Sequence, residues 1–161
     1  MPVTDVQKDL DALTMTITAE FDAPAERIWQ IWADPRQLER WWGPPSHPAT
    51  FTAHDLTPGA RVAYYMTGPD GQRYHGWWQV EEVEPPTRLR FEDGFADEQG
   101  NPNPEMPTSV ATVTLTESDG RTKMAIESRF STREQMEQII EMGAEEGMRE
   151  ALGQVDALLA G

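Results

Sequence analysis

The sequence predicts an α+β fold: a strongly curved antiparallel sheet of seven strands around one long C-terminal helix, with two short helices after the first strand. Three observations predict it. From Ser131 to Gly161, apolar or small residues recur at helical spacing, among them Met136, Ile139, Ile140, Gly143, Gly147, Met148, Ala151, Leu152, Val155, Leu158 and Leu159. From residue 49 to 130 the chain alternates apolar and polar residues in short runs parted by Gly, Pro, Asn and Asp. Before that, one more alternating run leads into two helical patterns rich in tryptophan.

Residues 1–10 read as a polar lead-in, and 11–161 as a single domain. From Leu13, the residues Met15, Ile17, Ala19 and Phe21 share one face of a strand, with threonines on the other. Asp22-Ala23-Pro24 opens the first helix, with Pro24 in its first turn and Ile28, Trp29, Ile31 and Trp32 as its apolar stripe. Asp34 caps a second short helix carrying Leu38, Trp41 and Trp42, which Gly43-Pro44-Pro45 ends.

Six strands then follow. They are Ala49–Asp55, Arg61–Thr67, Arg73–Val83, Arg88–Asp93, Thr108–Thr116 and Thr122–Phe130. Gly68-Pro69-Asp70-Gly71 and Ser118-Asp119-Gly120 make tight turns, and residues 94–107 form a polar loop. The Val80-to-Val83 spacing breaks period two, which predicts a bulge. Ser131-Thr132-Arg133-Glu134 fits a capping box for the closing helix, about 40 Å long if unbroken at ~1.5 Å per residue.

The chain has 161 residues, a formal net charge of −15 and no cysteine. Its length suits one domain, and the lack of cysteine excludes disulfides and thiol chemistry and fits a reducing, cytoplasmic setting. The acidity repels nucleic acid and anionic membranes. No apolar run approaches membrane-spanning length, and Met1-Pro2-Val3-Thr4-Asp5 does not read as a signal peptide.

Chemistry-bearing motifs are sparse. The three histidines, His47, His54 and His75, lie in different elements, and none has metal-ligand spacing to another, so no metal site is expected. No serine has a nucleophile-elbow context, no phosphate-binding or dinucleotide loop is present, and no cofactor is expected. Glu81-Glu82 and Glu145-Glu146 read as solvated surface.

A sheet of this size is wider than one helix can fill. Gly143 and Gly147 fall on or near the inner face of the closing helix, and small residues such as Ala53, Ala111 and Ser128 mix with methionines and aromatics on the strands. These features predict a groove for a small hydrophobic molecule. The candidate contacts are Trp42, Tyr64, Met66, Trp78, Phe91 and Met124 from the first part of the chain, and Gly143, Gly147 and Met148 from the helix. Trp78 rather than Trp77 is assigned inward by its phase with Val80, and His75 is the candidate polar contact. No catalytic residue is assigned.

The run Phe21-Asp22-Ala23-Pro24-Ala25-Glu26-Arg27-Ile28-Trp29, then Asp34-Pro35, then Leu38-Glu39-Arg40-Trp41-Trp42-Gly43-Pro44 resembles the N-terminal signature of the activator-of-heat-shock-ATPase-homologue family. Residues Gly76 to Leu89 resemble its middle strand pair, and Glu146-Gly147-Met148 with Leu152 and Val155 resembles its closing helix. The resemblance implies the START-like (SRPBCC) superfamily, its helix-grip fold and a hydrophobic cavity between helix and sheet. It departs at Met148, where relatives often carry tryptophan. The leading expectation is a monomeric or homodimeric binder of a small hydrophobic molecule. The alternatives are a polyketide cyclase- or aromatase-like enzyme, with His75 or Tyr64 as the first suspects, and an interaction module for a chaperone or stress-response regulator.

Overall fold

The structure, a computed structural model, describes residues 2–160. Strands β1 (Val3–Asp9) and β2 (Thr14–Phe21) precede two short helices, α1 (Ala25–Ala33) and α2 (Pro35–Leu38). Strands β3 (Ala49–Ala53), β4 (Arg61–Thr67), β5 (Arg73–Glu84), β6 (Arg88–Phe95), β7 (Ser109–Ser118) and β8 (Arg121–Phe130) follow. Three helices close the chain: α3 (Arg133–Glu141), α4 (Ala144–Leu152) and α5 (Val155–Ala160). All strands pair antiparallel in one sheet, in the order β1-β2-β8-β7-β6-β5-β4-β3. The closing helices lie in its concave side, which is the helix-grip arrangement.

The inward columns follow the alternation of the sequence. In β2, Met15, Ile17, Ala19 and Phe21 are buried while the threonines between them are half-exposed. In β8, Thr122, Met124, Ile126 and Phe130 are buried. The break in period two at Val80 is a register shift between Val80 and Glu82, as the spacing predicts. Asp34 caps α2 by accepting a hydrogen bond from the Arg36 N–H at 2.9 Å. Bonds from the Gln37 side chain and that N–H hold its carboxyl below the usual range.

Three sequence expectations need correction. The polar lead-in is the edge strand β1, so the sheet has eight strands. Its pairing with β2 runs through backbone, and only Val3 and Val6 pack against the core, which leaves too faint an alternation to read. The closing helix is not continuous. Gly143 adopts φ 87° between α3 and α4, a left-handed turn that ends one helix and starts the next. A second break precedes α5, where Gln154 Nε2 donates to the carbonyls of Gly43 (2.8 Å) and Trp41 (3.3 Å). The cap of α3 is Thr132, which accepts from the Gln135 N–H at 3.1 Å, one residue after the expected Ser131.

One end of the grip is filled by aromatic rings. Trp32 meets Trp41 edge-on at 4.8 Å, Trp42 meets Trp78 edge-on at 5.1 Å, and Trp78 stacks on Phe91 at 4.0 Å. The Trp41 indole donates to the Ile31 carbonyl at 3.0 Å, and that of Trp32 points to the Met124 sulfur at 3.2 Å. This cluster clamps α1 and α2 onto the sheet.

Candidate functional site

The other end of the grip is hollow. A cavity of about 230 Å³ lies between α3, α4 and the ends of β2, β8, β7, β6, β5 and β4. Its wall is mostly apolar: Met15, Ile17, Ile126, Phe130, Ile139 and Met148 form one side, and Met66, Phe95 and Pro107 part of the other. Tyr64, Asp93, Ser109 and Ser128 supply polar groups. Tyr74, which is exposed, also borders it.

These positions arise from strand phase. The inward column of β6 runs Leu89, Phe91, Asp93, and that of β7 runs Ser109, Ala111, Val113. Asp93 therefore stands beside Trp78 of β5 and Ser109 of β7, at the inner surface. Gly76 of β5 stands opposite Tyr64 of β4, where a side chain would collide with the tyrosine ring. The glycine thus leaves room for Tyr64 to lie across the strand and reach Asp93. The tyrosine O–H donates to Asp93 Oδ1 at 3.2 Å.

Asp93 is half-buried, with its carboxyl at the cavity and packed protein around the rest of it. Burial pushes its pKa from 3.8 to about 7, against the pull of the bonds from Tyr64 and the Gly94 N–H. Tyr64 is buried, and that burial, with the neighbouring Asp93 charge, pushes its phenol well above 10. The indole N–H groups of Trp42 and Trp78, both buried, have no hydrogen-bond partner among the described residues. Among those residues, no group of three or more His, Asp or Glu side chains is arranged to hold a metal.

The sequence-predicted residues separate into two sets. Tyr64, Met66 and Met148 line the cavity. Trp42, Met66, Gly147 and Met148 line a second, smaller groove of about 180 Å³, so Met66 and Met148 stand between the two spaces. Trp78 does face inward, but Trp78, Phe91 and Met124 are fully buried in the packed end and border neither space. Gly143 is exposed and borders neither space, because its role is the left-handed break between helices. His75 borders the cavity, but it falls in the outward phase of β5. Its ring lies 5.6 Å from that of Tyr65, its partner in the ladder. Asp93, Ser109 and Phe130 also line the cavity and were not among the candidates. Asp93 shares parity with Leu89 and Phe91, so the signal was present: a carboxylate in an otherwise apolar column.

The model of the Activator of Hsp90 ATPase homolog 1-like protein family matches residues 22–160. The chain is 56% identical to protein Ms6760 from Mycobacterium smegmatis, whose crystal structure superposes with a TM-score of 0.91 over 98% of this chain and 97% of that one. A solution structure of an Arthrobacter aurescens protein is also 56% identical, with a TM-score of 0.94 over 98% and 92% of the two chains. A Staphylococcus epidermidis protein at 25% identity keeps a TM-score of 0.85 over 98% and 94%. No curated protein matches the chain.

Proposed function

This chain belongs to the Activator of Hsp90 ATPase homolog 1-like protein family, and on that premise we propose that it binds a small, mostly apolar molecule between its sheet and its closing helices. The observation that carries this reading is the cavity itself. It is an apolar chamber of about 230 Å³ with a few convergent polar groups at one place, the usual composition of a small-molecule site. Burial of the ligand's apolar body supplies the drive, and the Tyr64–Asp93 pair with Ser109 and Ser128 fixes its orientation. Among the described residues no helix is long and apolar enough to cross a membrane.

Met148 gives the test. It borders the cavity from α4, and an indole there would occupy the space. Native mass spectrometry of freshly purified protein is expected to show a bound small molecule that Met148→Trp removes while the variant stays folded. An adduct undiminished in the variant would place the ligand elsewhere.

A second reading, catalysis of the cyclase or aromatase kind, draws on one feature. Asp93 holds a pKa of about 7 at the cavity wall, suited to accept or give a proton. Incubating the recovered ligand with the protein separates the two. A binder returns it unchanged, whereas an enzyme converts it, and Asp93→Asn stops the conversion.

A further inference from the structure

Asp93 has no cation to face. It takes part in none of the ion pairs found among the described residues. The cavity wall holds no lysine or arginine. The titratable groups around the cavity come from β4 (Tyr64) and β5 (Tyr74 and His75); β2, β7, β8, α3 and α4 bring side chains without charge, such as Met15, Ser109, Ser128, Ile139 and Met148. His75 alone in this wall can become positive, and its ring packs on Tyr65 on the far side of the ladder.

The centre of the polar end is therefore an acceptor, the Asp93 carboxylate, beside the hydroxyls of Ser109 and Ser128, which donate or accept. Tyr64 commits its single O–H to Asp93, so only its lone pairs remain for a ligand. The carboxylate already accepts hydrogen bonds from the Tyr64 O–H and the Gly94 N–H and keeps further lone pairs free. A ligand that brings hydrogen-bond donors satisfies the free lone pairs of Asp93, and a positive charge would offset its half-buried carboxylate, which no lysine or arginine of the wall does. Tyr64, Tyr74, Phe95 and Phe130 line the same space, and aromatic rings attract a cation that lies over their faces. The net charge of −15 draws cations to the molecule and repels anions.

Resting on the reading of this cavity as a ligand site, we propose that its ligand is a compact amine whose protonated nitrogen bonds to Asp93 beside Tyr64 and whose ring or short hydrocarbon body fills the apolar chamber. Size sets the body. The chamber, at about 230 Å³, exceeds a cavity of ~150 Å³ that accepts benzene and falls short of the range for drug-sized ligands. One substituted ring fits; a sterol or long acyl chain does not. A carboxylate ligand is disfavoured once Asp93 is ionised, because the wall holds no lysine or arginine to offset the two charges.

Three probes with one phenyl body test this: 2-phenylethylamine, 2-phenylethanol and 3-phenylpropanoate. Each is titrated calorimetrically into the full chain and into Asp93→Asn, Met148→Trp and, as a control on the outward face of the same strand, Glu92→Gln. At pH 8 the amine should bind at least about tenfold more tightly than the alcohol, and the propanoate should show no saturable binding. The amine stays protonated as pH falls, so its affinity should drop by about tenfold per pH unit below about 7, where Asp93 takes up its proton. The alcohol should show no such slope. Asp93→Asn should erase the amine's advantage and keep alcohol binding, and Glu92→Gln should change neither. The pH series on the unaltered chain stands even where a variant fails to fold.

Equal or tighter binding of the alcohol or the propanoate, or an amine preference that survives in Asp93→Asn, overturns the amine assignment. When Met148→Trp still abolishes binding in that case, the cavity remains the site. When Met148→Trp leaves every affinity unchanged, or no probe saturates, the cavity reading falls with it.

Discussion

The two ends of the grip use the same strands and end differently. Moving along the inward columns, β5 passes from Trp78 to Gly76, β6 from Phe91 to Asp93, and β8 from Met124 through Ile126 to Ser128. At the first end these side chains interlock with Trp32, Trp41 and Trp42 into a ring-on-ring core that seals α1 and α2 to the sheet. At the second, small and polar residues face the bend between α3 and α4, and a chamber remains. The architecture does not dictate a cavity; a step of two residues along β5 and β6, and of four along β8, does. Packed rings fill the grip at one end, and an open chamber begins where they stop.

The largest test of that contrast is Trp78→Ala. The ring is fully buried and stacked on Phe91, so truncation should cost about 3–5 kcal/mol in urea unfolding. A loss below about 1 kcal/mol would show that the filled end is not where stability lies. Next in size, Gly76→Ala would put a methyl 2.5 Å from the Tyr64 hydroxyl. It should cost about 1–3 kcal/mol and push the tyrosine off Asp93, visible as a lost Tyr64–Asp93 contact in a crystal structure of the variant.

The third effect is smaller and depends on pH. The folded-state pKa of Asp93 is raised from 3.8 to about 7, so folding favours the neutral acid. Its stabilising contribution is complete below about 3.8 and is lost as pH rises through about 7. Asp93→Asn removes a half-buried carboxylate with no cation beside it and keeps an acceptor for Tyr64. The variant should therefore be more stable than the parent at pH 8, by about 1–2 kcal/mol, and equal to it near pH 4. Denaturation curves at the two pH values check this. A variant less stable than the parent at pH 8 would mean that the carboxylate is well solvated, and the contrast between the ends would weaken.

Much of this was legible in the sequence because it rests on period and punctuation. The inward column of β2, the cap at Asp34, the bulge after Val80 and the inward phase of Trp78 each follow from local residue order. Three features were not. Strand β1 is held by backbone pairing, to which side-chain alternation is nearly blind. The continuous helical pattern from Met136 to Leu159 concealed a break, since Gly143 keeps small-residue spacing whether it continues a helix or turns left-handed. The candidate contacts divide by position: Tyr64, Met66 and Met148 border the cavity, while Trp78, Phe91 and Met124 lie fully buried in the packed end. Inward phase says that a residue faces the concave side and not whether another side chain already fills the space before it.

What the sequence by itself determined is the set of columns: which residues face inward on each strand, where turns and caps fall, and the family signature from Phe21 to Pro44. These are local, set by side-chain alternation and backbone preference. Only the tertiary structure decided which columns meet. The register of β4, β5 and β6 brings Tyr64 to Asp93 over the bare backbone of Gly76, and the turn at Gly143 directs α4 so that Met148 walls the space instead of filling it. Both depend on contacts between residues far apart in the chain, where volume and register, rather than local order, settle what is full and what is empty.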